Sequence, residues 1–134
     1  LDLDPELNIF QNISEKPTII LTNNDTQKFP SATTLMCKTK NNKIDLKDAL
    51  TQLCQHNINS ILIEGGQDLA TQLLQENLVD ELIWIRNKKI IGNDGIPAVG
   101  KMNFSSINEV LNGFHKCSSQ ELEEDSIEIY AKLS

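Results

Sequence analysis

The chain has 134 residues, 39% of them hydrophobic and 23% charged, with a formal net charge of −7 and a sequence pI near 4.7. That length suits one core rather than two ordinary domains, and no apolar run approaches the roughly 20 residues a membrane helix needs. The acidic balance, with Arg86 the only arginine, excludes a long polyanion such as nucleic acid, which is held by clustered Lys and Arg. Lys38, Lys40, Lys43, Lys88 and Lys89 leave room for one small anion, although such runs are more often solvated edges.

The first 16 residues, LDLDPELNIFQNISEK, show no period. PTIILT, Pro17 to Thr22, has the length and β-branched content of a buried strand, and NND ends it. SATTLMCK, Ser31 to Lys38, is a weaker strand followed by the turn NNK. Asp45 then caps a helix whose Leu46, Ala49, Leu50, Leu53 and Cys54 recur at helical spacing. Asp48 places a carboxylate near its positive end, and the Asn residues of HNIN suit its left-handed termination.

SILIE, Ser60 to Glu64, reads as a third strand, Gly65-Gly66 as a turn, and Asp68 as the cap of a second helix carrying Leu69, Leu73 and Leu74 and ending around Asn77. ELIWIR, Glu81 to Arg86, is a fourth strand. Strand, helix, strand, helix, strand with short links predicts right-handed βαβ crossovers and a mostly parallel sheet flanked by helices. IIGNDGIPAVG is dense in turn residues and suits a loop over a pocket rim, and INEVLNG suits a short helical turn. FHKCSSQELEEDSIEIYAKL predicts a C-terminal antiparallel hairpin whose last strand alternates Ile127, Ile129, Ala131 and Leu133 against Glu128, Tyr130 and Lys132. The acidic QELEEDS is expected to be a solvated connection.

Three cysteines, Cys37, Cys54 and Cys117, without metal spacing, are expected to be reduced, partly buried thiols of a cytoplasmic protein. There is no zinc, calcium or P-loop motif. His56 and His115 suit surface or capping positions, and Asp80-Glu81 suits a polar start to a strand. A chain that begins at Leu1 rather than Met, with no secretory signal, is expected to come from a longer polypeptide.

The chemistry concentrates at Glu64-Gly65-Gly66, because ligands of open α/β sheets bind where strands end and helices begin. Glycines there admit a ligand close to the main chain. The N–H groups of Gln67, Asp68 and Leu69 would face a phosphate, with Thr71 adding a hydroxyl. The competing reading is a tight turn with a first-turn carboxylate that occupies those same donors. A carboxylate ending an apolar strand faces either an open cleft, where it accepts hydrogen bonds from a polar substrate, or a structural Lys or backbone donor.

The run INSILIEGGQDLATQLLQENLVDELIWIRNKKIIGNDGIPAVG, residues 58–100, resembles the reductase half of the bifunctional riboflavin-biosynthesis deaminase/reductase, with its apolar strand ending in Glu-Gly-Gly, its LVDEL and its PKLLG-like segment in the same order. LDLD at the start and IILTNND resemble the family's preceding strands more loosely. The resemblance implies a dihydrofolate-reductase-like α/β fold of which residues 1–134 are the C-terminal part, the N-terminal part and any deaminase domain lying outside the chain. It implies NADPH-dependent reduction of the ribosyl side chain of 5-amino-6-(5-phosphoribosylamino)uracil to ribitylamino, and a homodimer. Glu64 would contact this phosphorylated pyrimidine, and Gly66, Gln67, Asp68, Leu69, Ala70, Thr71 and Gln72, with Thr22 and Asp2, would bind NADPH. Leu3, Lys88 and Gln67-Asp68 depart from the family pattern. A non-catalytic nucleotide-binding or dimerisation module is the competing expectation, and the isolated fragment is expected not to turn over.

Overall fold

Two units make up the chain, Leu1–Ile61 and Leu62–Ser134; the computed structural model describes residues 4, 6–11, 15–24, 29, 31–106, 109 and 113–133. The first unit is organised by strand β1, Ile19–Thr22, which pairs in parallel with β2, Thr33–Met36. Ile20, Thr22, Leu35 and Cys37 are buried, along with Phe29, whose ring stacks on Phe10 at 4.7 Å. The Thr22 carbonyl accepts the Cys37 N–H at 2.7 Å. Burial, reinforced by the nearby Asp48 charge, pushes the Cys37 thiol pKa up, so it stays protonated and unreactive.

β3, Thr39–Lys40, and β4, Lys43–Ile44, form a tight hairpin. Its two central residues, Asn41 and Asn42, have φ of 52° and 61°, the paired left-handed conformation that matches strand twist and that asparagine tolerates. Helix α1, Leu46–Gln55, starts as the sequence predicts: the Asp45 carboxylate accepts from Lys47 N and Asp48 N. Asp48 in turn accepts the Lys38 N–H at 2.8 Å and pairs with its ammonium at 3.5 Å, tying the helix start to the preceding chain. The α1 terminus is a Schellman motif, with Asn57 at φ 62°, its N–H bonded to Cys54 O and the Ile58 N–H to Leu53 O. Cys54, which the helical period assigns to the apolar face, is exposed, as is Cys117.

The second unit begins with helix α2, Gln67–Gln75, which closes with the same motif: Asn77 at φ 59° and the Leu78 N–H on Leu73 O. β5, Glu81–Asn87, β6, Phe114–Leu122, and β7, Asp125–Lys132, form an antiparallel sheet of order β5-β7-β6. β6 carries a bulge between Lys116 and Ser118 that leaves Cys117 unpaired in the ladder. Leu82 and Trp84 lie half-buried on one face. Ile83 and Ile85, opposite Ile129 and Ile127, lie on the other, and they are 45% and 65% exposed.

Three expectations are corrected. Ser60–Glu64 is not a strand: residues 59–65 make no backbone hydrogen bond among the described residues, and an apolar segment without a neighbour has no ladder to join. The sheet is not mostly parallel. β1–β2 is the single parallel pair among the described residues, and β5 pairs antiparallel with β7 because the C-terminal hairpin supplies its neighbour. The segment QELEEDS is not a loop, since β6 and β7 run through it and only Glu123-Glu124 turns. The predicted turn INEVLNG falls mostly outside the described residues.

On the Trp84 face, Glu128 accepts from Arg86, from the Lys116 ammonium at 3.1 Å and from the Tyr130 hydroxyl at 3.0 Å. These donors, Lys116 and Arg86 foremost, hold its carboxyl below the ordinary 4.5. The ionised form is therefore favoured by folding, so its contribution is complete above pH 4.5 and fades as pH falls through the depressed native value. Denaturant melts from pH 6 to pH 3 should show stability falling across that window, and Glu128→Gln should flatten part of the fall. In the first unit, Asp45→Ala should lower stability by about 1 kcal/mol through loss of the helix cap, read from the urea midpoint.

Candidate functional site

Within the second unit, Gly65-Gly66 leads directly into α2. The N-cap is Gly66, in extended conformation and with no side-chain capping bond. This corrects the expectation that Asp68 caps the helix: Asp68 is its second residue, and its exposed carboxylate bonds no described residue. The first-turn N–H groups of Gln67, Asp68 and Leu69 thus have no side-chain acceptor among the described residues, and they stand at the positive end of the helix dipole.

The two glycines differ in role. A Cβ on Gly65 would come within 2.7 Å of Leu69 Cδ2, so this position lets the chain fold back on the first helical turn. A Cβ on Gly66 would meet nothing within 4 Å, so no close packing requires a glycine there.

Thr71 is already committed. Its hydroxyl donates to Gln67 O at 2.6 Å and accepts the Gly100 N–H at 2.7 Å. Gln75 Nε2 donates to Lys101 O at 3.1 Å, so two side chains of α2 hold the segment after the turn-rich loop. Gly100 fits there because a Cβ would lie 2.7 Å from Gln67 Nε2 and 3.1 Å from Thr71 Oγ1. Sequence reasoning gave Thr71 a free hydroxyl and gave Gly100 no role. The signal for Gly100 was present only as the glycine ending IIGNDGIPAVG.

Glu64 is exposed and pairs with no described residue, so the structural-partner reading finds no support among them. Gln67, Ala70, Thr71 and Gln72 are half-buried, Leu69 is exposed, and the Gln72 amide reaches Glu76 at 3.5 Å. The structure therefore brings Gly66 to Gln72 together as one helix start with Glu64 two residues before it. Thr22 belongs to the other unit. It is buried, and its hydroxyl donates to Asn24 O and accepts from Asn24 N, both at 3.1 Å. Asp2 lies outside the described residues.

The model of the RibD C-terminal domain matches residues 1–127. The riboflavin biosynthesis protein RibD of Buchnera aphidicola subsp. Baizongia pistaciae is 37% identical over 76 residues, 57% of this chain and 20% of that protein. The 5-amino-6-(5-phosphoribosylamino)uracil reductase of Buchnera aphidicola subsp. Acyrthosiphon pisum is 34% identical over 96 residues, 71% of this chain and 46% of that protein. Among solved structures, Acinetobacter baumannii RibD, form 2, superposes with a TM-score of 0.79 at 20% identity, covering 98% of this chain and 35% of the other, a likeness of α/β fold. The chain thus spans less than half the length of each of these relatives.

Thr71→Val should leave the half-buried Gly100 N–H without its acceptor and cost about 1–3 kcal/mol. Chemical denaturation checks this, and Thr71→Ser should retain most of the stability.

Proposed function

The chain belongs to the RibD C-terminal domain family, and from that premise we propose that it is the C-terminal part of a reductase domain acting in riboflavin biosynthesis. The reaction is NADPH-dependent reduction of the ribosyl side chain of 5-amino-6-(5-phosphoribosylamino)uracil to ribitylamino. The observation that carries the reading is the family match across residues 1–127, within which Glu64-Gly65-Gly66 leads into α2. The relative named for this reductase activity supports the substrate, and the likeness to RibD structures supports a dihydrofolate-reductase-like arrangement in the complete domain.

In this reading Glu64 accepts hydrogen bonds from the pyrimidine substrate, and its exposure without a protein partner suits that role. The uncapped backbone from Gly66 through Leu69 holds the diphosphate of NADPH. Ala70, Thr71 and Gln72 complete that wall, Thr71 by fixing the segment at Gly100. When bound, the cofactor supplies the hydride; this part of the chain binds and orients, and the gain lies in geometry rather than in a titrating side chain. Thr22 and Asp2 are the remaining residues assigned to the cofactor.

A homodimer is part of the reading. The exposed isoleucines of β5 beside Ile127 and Ile129 form the kind of apolar face that a second copy covers. Three free cysteines suit a reducing, cytoplasmic location.

The test is a polypeptide carrying the complete reductase domain, assayed for NADPH consumption with the deaminated pyrimidine. Turnover is expected there and not in the 134-residue chain alone. Glu64→Gln should raise KM for the pyrimidine roughly 10- to 100-fold, the weight of a charged hydrogen bond, while KM for NADPH stays near the wild-type value. Absence of turnover by the complete domain would refute the reductase reading.

A further inference from the structure

The segment 89–99 is tied at both ends and carries the chain's single Asp-Gly step. At one end the Lys88 N–H bonds Glu124 O at 3.0 Å, and at the other the Gly100 N–H bonds Thr71 Oγ1 at 2.7 Å. Between them lies Asp94-Gly95, where the short helical turn Gly92–Asp94 ends. We propose that Asp94-Gly95 is a self-modification site, at which the folded chain converts Asp94 to isoaspartate through a cyclic imide.

That step needs a free carboxyl group beside an unhindered main-chain nitrogen. Asp94 is exposed, and its carboxylate bonds no described residue. Gly95 has no side chain to shield its nitrogen. Its N–H makes no close hydrogen bond to a described residue, whereas Gln11, His56 and Glu76, which follow the other helices, each give theirs to a carbonyl. No other described aspartate combines these features. Asp4 precedes Pro5, which has no N–H. Asp45, Asp48 and Asp125 accept hydrogen bonds from Lys47, Lys38 and Asn87, and Asp68 and Asp80 precede the bulkier Leu69 and Glu81.

In the reaction the Gly95 nitrogen attacks Asp94 Cγ. The N–C bond forms, a C–O bond of the carboxyl group breaks, and the hydroxyl leaves as water with the nitrogen's proton. Water then opens the ring. Breaking the new bond restores aspartate; breaking the original bond from the nitrogen to the Asp94 carbonyl carbon routes the chain through Cβ and Cγ and leaves a carboxylate where the carbonyl was. Mass and charge are unchanged, and nothing is oxidised or reduced. Because both ends of the segment are bonded to the fold, the added main-chain atom is absorbed between residues 89 and 99.

The test is incubation of the 134-residue chain in heavy-oxygen water at neutral pH, then tryptic mapping in ordinary water. The peptide Ile90–Lys101 contains Asp94 as its only aspartate. It should split into a second chromatographic peak that carries heavy oxygen and resists an aspartate-specific endoprotease, while circular dichroism shows the helices persisting. The rate should lie within about tenfold of that of the free synthetic peptide, since an exposed site reacts without opening of the fold. Asp94→Glu, which must close a larger ring, should abolish the second peak. Asp94→Asn should form the same imide several-fold faster, with the mass gain of an amide turned acid. A single unlabelled peak from the folded chain, while the free peptide isomerises, would overturn the proposal, as would equal isomerisation in the peptides carrying Asp68 or Asp125.

Discussion

A strand exists only where a neighbour satisfies its backbone, and that constraint governs this molecule. β5, β7 and β6 are formed because each finds a partner, and the C-terminal hairpin brings its two partners by local chain reversal at Glu123-Glu124. Ile61, Leu62 and Ile63 have the side chains of a strand, yet the segment joins no ladder among the described residues and Leu62 is 73% exposed. β-propensity measures fit to a pleated, half-buried surface and carries little weight without that surface. The same argument explains the exposed edge of β5, whose outer N–H and C=O groups face away from β7.

What was legible in the sequence is what local chemistry decides. The Asp45 cap, the helical period of α1, the asparagines that end both helices and the alternation of β7 are all settled within a few residues. The Asn41-Asn42 hairpin is of the same kind, since two consecutive left-handed residues need no distant contact. What was not legible is pairing. ELIWIR reads identically whether its neighbour runs parallel or antiparallel, and the βαβ inference supplied the wrong one. QELEEDS shows the complementary error: acidic side chains suggest a loop, but an exposed strand face carries charge readily, and here Glu121 meets Lys88 at 3.4 Å.

The site follows the same division. Glu64, Gly65 and Gly66 stand out as a candidate from type and order alone, because a carboxylate and glycines between apolar runs are locally conspicuous. The bond from Gly100 to Thr71 spans 29 residues, and no local pattern encodes it. It gives the Thr71 hydroxyl a structural task, fixing residue 100 against α2. The Asp68 assignment failed for a finer reason. An aspartate near a helix start is ambiguous by two residues between cap and first turn, and the two positions have opposite meaning: a cap consumes the free N–H groups, while a first-turn carboxylate leaves them open and adds charge beside them.

These facts bear jointly on what the chain can do. A helix start such as that of α2 is held by its own hydrogen bonds and by the Thr71 and Gln75 bonds to residues 100 and 101, so the turn into α2 is fixed from within the second unit. Glu64 is held by none among the described residues: its backbone joins no ladder and its carboxylate no partner there. In the proposed reading hydride transfer depends on placing two carbons within about 3–3.5 Å, and a contact from an unpaired segment does not by itself enforce that distance. The two halves of the Glu-Gly-Gly turn therefore have different requirements. The glycine half is organised by the bonds of α2, whereas the glutamate half makes no such bond among the described residues.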